Sequence, residues 1–323
     1  MAAEAMTFSA AEAAVYDRQM RLWGVEAQKR LQSSHVLVSG LSALGSELVK
    51  NLVLAGLNVT VHDPRAVTPR ATAAQFFFAA EDIGRSRAEV ALERAEELNP
   101  LVRVRHEVTP LSGLPDEFFH AFSAICLVGA DKEAQLRLNA LARARGIAFY
   151  AACSFGFDGV VFADLGKHVY RRTPTTSATS DGAAPPPTND AVTVEFPSLA
   201  AANDVAWGSL QSTRKRGPQI PRVYVKYQLL QEYSAQKSVD NGAVAASADD
   251  FVAFAQALLE AQGLARDFFS AHDLRALAQV SGVDLVPVCA IVAGILGQEV
   301  VKAISQKDEP ICNYFCFDGA AGS

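Results

Sequence analysis

The sequence predicts an α/β protein built on a Rossmann-like, doubly wound and mainly parallel sheet, with a partly helical insertion. Two observations carry this. Short apolar runs alternate with stretches of helical periodicity, and the first apolar run ends in the loop GLSALG at 40–45. Strands that alternate with helices need crossover connections, and these favour parallel pairing. At 323 residues the chain can bury one large α/β domain with an insertion, or two domains.

The elements follow in order. Ser9 and Glu12 fit a capping box, so a helix opens there and runs through YDRQMRLWG at 16–24, with a second helical stretch to about Leu31. Residues 36–39 are apolar and end at glycine, as a buried parallel strand does. Leu44, Leu48, Leu52 and Ala55 recur at helical spacing before Gly56, and a second strand at 59–61 leads to Asp63. Ser86 and Glu89 form another capping-box pattern, opening a helix that ends near Leu98 ahead of Asn99 and Pro100. Strands are expected at 102–108, 124–128 and 147–151, with a helix at 131–145.

Near Tyr170 the alternation stops. Residues 171–190 are rich in Thr, Ser, Pro and Gly and are expected to form a disordered loop. Residues 192–196, Trp207 and 224–233 then read as an ordered, helical stretch, and 238–249 as a second polar break. Helices are expected at 251–259 and 274–280, and a buried helix at 285–304 precedes a closing strand at 314–317. The resulting division places a Rossmann-type domain at 1–170 and 285–323, the loop at 171–190, and a mostly helical insertion at 191–284.

Composition narrows the function classes. A formal net charge of −6 argues against general nucleic-acid binding, which needs a basic face. Five scattered cysteines (Cys126, Cys153, Cys289, Cys312, Cys316) include no CxxC pair, which suits free thiols in a reducing compartment and argues against a metal site. Residues 1–14 lack the basic start and apolar core of a signal peptide, and the apolar run at 285–296 is short for a bilayer, so no membrane association is expected.

The loop at 40–45 has two readings. A dinucleotide loop needs glycines for a tight turn and close phosphate approach, and Asp63 lies at the distance of a ribose-binding acid. Yet Ser42 occupies the middle glycine position, and Gly40 and Gly45 would equally serve a plain strand–helix turn.

Four stretches together resemble the adenylating enzymes that activate ubiquitin-like proteins, the E1 family with its bacterial ThiF and MoeB relatives. They are YDRQMRLWG at 16–24, the loop at 40–45, QFFF at 75–78 with GRSRA at 84–88, and PVCAIVAGILGQEVVK at 287–302. Within that family the compact length, VEAQKR at 25–30, AISQKDEP at 303–310 and FCFDG at 315–319 are most similar to the short, non-catalytic subunits of heterodimeric members.

The resemblance implies an E1/ThiF-like adenylation fold. It also implies a larger catalytic partner subunit that holds ATP and magnesium, with SUMO as the modifier and the SUMO E2 reached through the complex. Family members that bind ATP carry an Asn and an Arg before Gln-Phe. Here those positions fall on Ala71 or Ala73, and on Ala74. Their phosphate-contacting lysine corresponds to Arg87, and their magnesium-binding aspartate falls near Ala130 or Asp131. Adenylation develops negative charge that aligned cations must meet, and alanine offers none. The degenerate loop (Gly40, Ser42, Gly45, Asp63) therefore implies no cofactor bound by this chain.

Arg18 carries the opposite expectation. In the family, the arginine of this stretch reaches across the dimer to the partner's nucleotide, a trans-acting arginine. The plain alternative is a helix arginine paired with Asp17 or Glu12, and Arg21 is a weaker companion. Cys289 in an apolar helix, Cys126 in a core strand and Cys153 without a neighbouring base are expected to be structural, which leaves the thioester to the partner. RKR at 214–216 reads either as part of a nuclear import signal or as a solvated loop, and phenylalanines 76–78 as part core, part partner surface. The nucleus, with some cytoplasmic presence, is the expected location. The rival readings are a self-sufficient homodimeric adenylating enzyme and an NAD-dependent oxidoreductase.

Overall fold

The computed structural model describes residues 9–172, 191–211, 219–237, 244 and 247–322. Its centre is a sheet in the order β3-β2-β1-β4-β5-β6-β9. β1 (His35–Ser39), β2 (Asn58–His62), β3 (Val104–Glu107) and β4 (Ala124–Val128) are joined in parallel, as is β4 to β5 (Ala148–Phe155). β6 (Asp158–Asp164) and β9 (Tyr314–Asp318) then extend the sheet antiparallel.

β1 and β4 read as continuous apolar runs because both faces of the sheet are covered. Successive side chains point to opposite faces. Val36, Val38, Ala124 and Cys126 enter the core shared with α3 (Ala43–Leu54), α5 (Arg87–Leu98) and α12 (Val286–Ser305). Leu37, Ile125 and Leu127 enter the core shared with α7 (Lys132–Arg145). A third core lies where α9 (Arg222–Lys237) packs on β6 and β9, with α10 (Ala248–Ala261) against α9 and α11 (Ala271–Val280) against α10.

The strand order reverses between β1 and β4, and the β1–α3 turn passes over that switch point. Gly40 has φ of 97°, and a Cβ there would stand 2.1 Å from the Val128 carbonyl oxygen. A Cβ on Gly45 would stand 1.9 Å from the Gly40 carbonyl oxygen. Both glycines are thus demanded by packing, whatever binds nearby.

At the far end of α3, α1 (Ala10–Trp23) and α2 (Val25–Ser33) dock as a pair. The Ser9–Glu12 capping box forms as expected. Tyr16 is fully buried, and its hydroxyl accepts a 2.9 Å hydrogen bond from Asn99 Nδ2, which also donates to the Val53 carbonyl at 2.8 Å. Gln19 Nε2 donates to the Leu54 carbonyl at 3.1 Å, and Trp23 Nε1 donates to Gln28 Oε1 at 2.9 Å. Tyr16, Gln19 and Trp23 therefore form the inner stripe of α1, at helical spacing.

Several expectations need correction. Residues 192–196 are not the start of a helical stretch: Ala191–Glu195 is β8, which pairs antiparallel with β7 (Lys167–Arg171). Its alternation of Val and polar residues is that of a half-exposed strand, and local periodicity over five residues could not reveal its distant partner. Arg171 accordingly belongs to a strand and not to the polar loop, whose residues 173–190 lie outside those described. Polar residues 238–243 and the RKR cluster at 214–216 also lie outside them. α8 (Leu199–Asn203) places Leu199 in the core beneath α7, so the segment after 190 begins within the Rossmann-type body. The antiparallel β6 went unseen because it follows β5 after a tight turn at Gly156. Strand β3 is shorter than the expected 102–108. α12 is a 20-residue helix, long and apolar enough to cross a membrane by composition, but here it packs on α3 and the sheet with Val288, Cys289, Val292, Leu296 and Val300 buried.

Gly45→Ala should lower stability by about 3 kcal/mol in denaturant unfolding, because the added methyl meets backbone that cannot yield cheaply; Ser42→Gly in the same loop should change it by far less. Asn99→Ala should cost about 1–3 kcal/mol in the same measurement, since it removes the donor to the buried Tyr16 hydroxyl and one of the two donors to the Val53 carbonyl.

Candidate functional site

The C-terminal ends of β1, β4 and β5 open onto a cleft of about 750 Å³ lined by Ser42, Ala74, Gln75, Arg87, Cys153 and Asp284, among others. This is where a doubly wound sheet places its ligands, in front of the switch point and against the N-terminus of the first crossover helix. Of the four residues of the degenerate loop only Ser42 lines this cleft; Gly40 and Asp63 line a neighbouring one on the other side of the turn, and Gly45 packs against the Gly40 carbonyl.

Asp63 is fully buried at the end of β2. Its Oδ2 accepts from the Leu41 backbone N–H at 2.8 Å and from Arg65 Nη2 at 2.7 Å, while Oδ1 accepts from Arg65 Nε at 2.8 Å. Burial pushes this carboxyl up, yet the Arg65 guanidinium and the Leu41 and Arg65 amides outweigh burial and hold it below the usual carboxylate range. The acid expected to meet a ribose hydroxyl is thus saturated by its own chain.

Arg87 stands 3.8 Å from Asp63 Oδ2, and its Nε donates to the Ala66 carbonyl at 2.9 Å. Burial, followed by the neighbouring Arg65 charge, pulls its pKa down. Ala71 and Ala74, on α4 (Pro69–Ala74), pack against the core beside the cleft, and Ala73 is exposed. None of the three presents a charge. Asp131 is the N-cap of α7, accepting from the Ala134 N–H at 2.7 Å, and Ala130 contributes only its carbonyl, to Gln135 Nε2 at 2.8 Å.

The N-terminus of α3 also has an occupant. Ser42 is its N-cap residue, but its side chain makes no capping bond. Asp284, from the loop between α11 and α12, accepts from the Ala43 N–H at 3.1 Å through Oδ2 and from Ser154 Oγ at 2.9 Å through Oδ1. Asp284, Ser154 and Arg65 are the site residues that the sequence reading missed. Asp284 lies 241 positions from Ala43, so no local signal joined them.

The thiols are poor nucleophiles where they stand. Burial pushes both Cys153 and Cys289 up to about 12 and raises Cys126 further, and no base among the described residues bonds to them. Cys289 Sγ lies 3.4 Å from Ser154 Oγ.

Arg18 lies away from the cleft's lining, on the outward stripe of α1, exposed together with Val15 and Leu22. Asp17 pairs with Arg21 at 3.0 Å, and Glu12 is held by Ser9 and Gln32. Arg18 has no hydrogen-bond or ion-pair partner among the described residues. Phe76 is 45% exposed with Lys50 Nζ 5.3 Å from its ring centre, while Phe77 and Phe78 are buried, so this run divides between surface and core.

Comparison with known proteins agrees with this architecture. The model of the ThiF family matches residues 16–321. SUMO-activating enzyme subunit 1 of Danio rerio is 36% identical, over 97% of this chain and 93% of the relative. The proteins of the same name from Homo sapiens, 34% identical over 97% of this chain and 93% of the relative, and from Xenopus laevis, 34% identical over 98% and 95%, align almost as fully. With the parallel sheet, the glycine turn and the α1 stretch all inside the matched region, the chain is a member of the ThiF family.

Proposed function

We propose that this chain is the small, non-catalytic subunit of a heterodimeric E1 that activates SUMO, and that it supplies Arg18 in trans. The relatives that carry the name SUMO-activating enzyme subunit 1 align over nearly their whole length, which supports the same role here. In such a complex the larger subunit binds ATP and magnesium, which convert the C-terminal carboxylate of SUMO into a reactive mixed anhydride before a partner cysteine takes it as a thioester. The SUMO E2 then meets the assembled complex and not this chain alone. The nucleus, with some cytoplasmic presence, is the proposed location.

The observation that carries the Arg18 role is its placement. A guanidinium without a partner among the described residues, flanked on one helix stripe by exposed Val15 and Leu22, suits a surface that another subunit covers. Once covered, a planar and permanently charged donor can meet phosphate oxygens at close range. The buried Tyr16 and the Gln19 bond to α3 hold α1 in place, so Arg18 is presented from a rigid element.

Three features support assigning ATP to the partner. Ala71, Ala73 and Ala74 carry no cation, Asp63 is engaged by Arg65, and Asp131 caps α7. The raised thiols likewise support a partner cysteine as the thioester carrier.

Arg18→Ala should lower the rate of SUMO-dependent pyrophosphate exchange by the assembled complex about a hundredfold or more, with co-elution of the two subunits unchanged; an unaltered rate would remove Arg18 from the mechanism. The chain without its partner should show no ATP–pyrophosphate exchange, and Cys153→Ser should leave thioester formation by the complex intact. Exchange by the chain alone would instead support a self-sufficient homodimeric enzyme.

A further inference from the structure

A helix N-terminus that follows a glycine turn attracts phosphate, because its first N–H groups lack partners and its dipole favours negative charge. α3 is 12 residues long, starts directly after Ser42, and opens onto the cleft that Arg65, Arg70 and Arg87 also line. By sequence alone this would be an anion site. In the structure its leading N–H, that of Ala43, already donates to Asp284 Oδ2.

The carboxylate is firmly held. Ser154 Oγ donates to its other oxygen at 2.9 Å, and the backbone before it is tied to the sheet by the 2.8 Å bond from the Gly156 N–H to the Val283 carbonyl. Gly156 and Asp284 also form an isolated parallel bridge. Arg87 feels the charge of Asp284 as well as that of Asp63. Two of the attractions that the cleft could offer a phosphate are thus met by carboxylates of the same chain, Asp284 at the helix and Asp63 at Arg65, while Arg70 donates to the Gly282 carbonyl.

We infer that Asp284 is a built-in anion that fills the phosphate position at the α3 N-terminus and closes this half-site to nucleotide. A phosphate entering there would meet a fixed like charge and would have to displace two hydrogen bonds. This also accounts for Ser42: a serine in the middle of the loop does no harm where no phosphate approaches. The inference rests on the proposal that ATP is held by the partner, and it names the residue responsible on this side.

Calorimetric titration of the full chain with inorganic pyrophosphate at low ionic strength tests it, comparing the unaltered protein with Asp284→Asn. The substitution keeps the size and one acceptor oxygen but removes the charge. Pyrophosphate should bind D284N about tenfold more tightly than the unaltered chain, and the gain should fade as salt is raised. Equal affinities would overturn the inference while leaving the proposed function standing. Binding of ATP with magnesium to the unaltered chain would overturn both.

Should D284N fail to fold, the amide resonance of Ala43 in the unaltered chain decides. It should stay in place as pyrophosphate is added, and a shift at low millimolar pyrophosphate would show the position open and the inference wrong.

Discussion

The close approach of the β1–α3 turn to the end of β4 is the constraint on which the rest of the molecule depends. Gly40 lies against the Val128 carbonyl and Gly45 against the Gly40 carbonyl, closer than any side chain would permit. That contact sets where α3 begins and how it lies along the sheet. α12 packs along α3, and the α1–α2 pair docks on its far end through Tyr16, Asn99 and Gln19. A change of backbone at the turn would therefore move both the cleft and the helix that carries Arg18.

The same constraint separates architecture from ligand binding. A glycine pair at this turn is required for packing, so its presence says nothing about a nucleotide. The cleft itself is decided by charge. Asp63 and Asp284 are placed so that the cations and helix dipole around them are neutralised from within. A buried charge persists when it is paired and hydrogen-bonded, as Asp63 is with Arg65, and the half-buried Asp284 is held by two hydrogen bonds where a ligand would otherwise accept them.

Arg18 shows the converse arrangement. Its neighbours Asp17 and Glu12 are engaged by Arg21, Ser9 and Gln32, and the inner stripe of α1 is buried. The helix thus carries two faces in one short stretch: Tyr16, Gln19 and Trp23 serve this chain's core, and Val15, Arg18 and Leu22 serve none of it. A cation with apolar neighbours and no partner among the described residues is a poor feature of an isolated surface and a good one of a covered surface.

The sequence by itself determined the parallel core, because its signals are local: apolar runs for β1 and β4, helical spacing in α3, capping residues at Ser9 and Ser86, and a glycine that stops α3. It also determined the ThiF-family membership, through stretches that lie in unbroken segments. Only the tertiary structure decided that residues 191–195 form a strand, because that strand is defined by its pairing with β7 across 173–190. Only the tertiary structure showed what Asp63 and the α3 N-terminus are bonded to, because Asp284 reaches Ala43 from 241 positions away. Periodicity and capping act over a few residues, whereas charge pairing acts across whatever the fold brings together. The glycine loop was therefore legible as a turn, and its closure to phosphate was not.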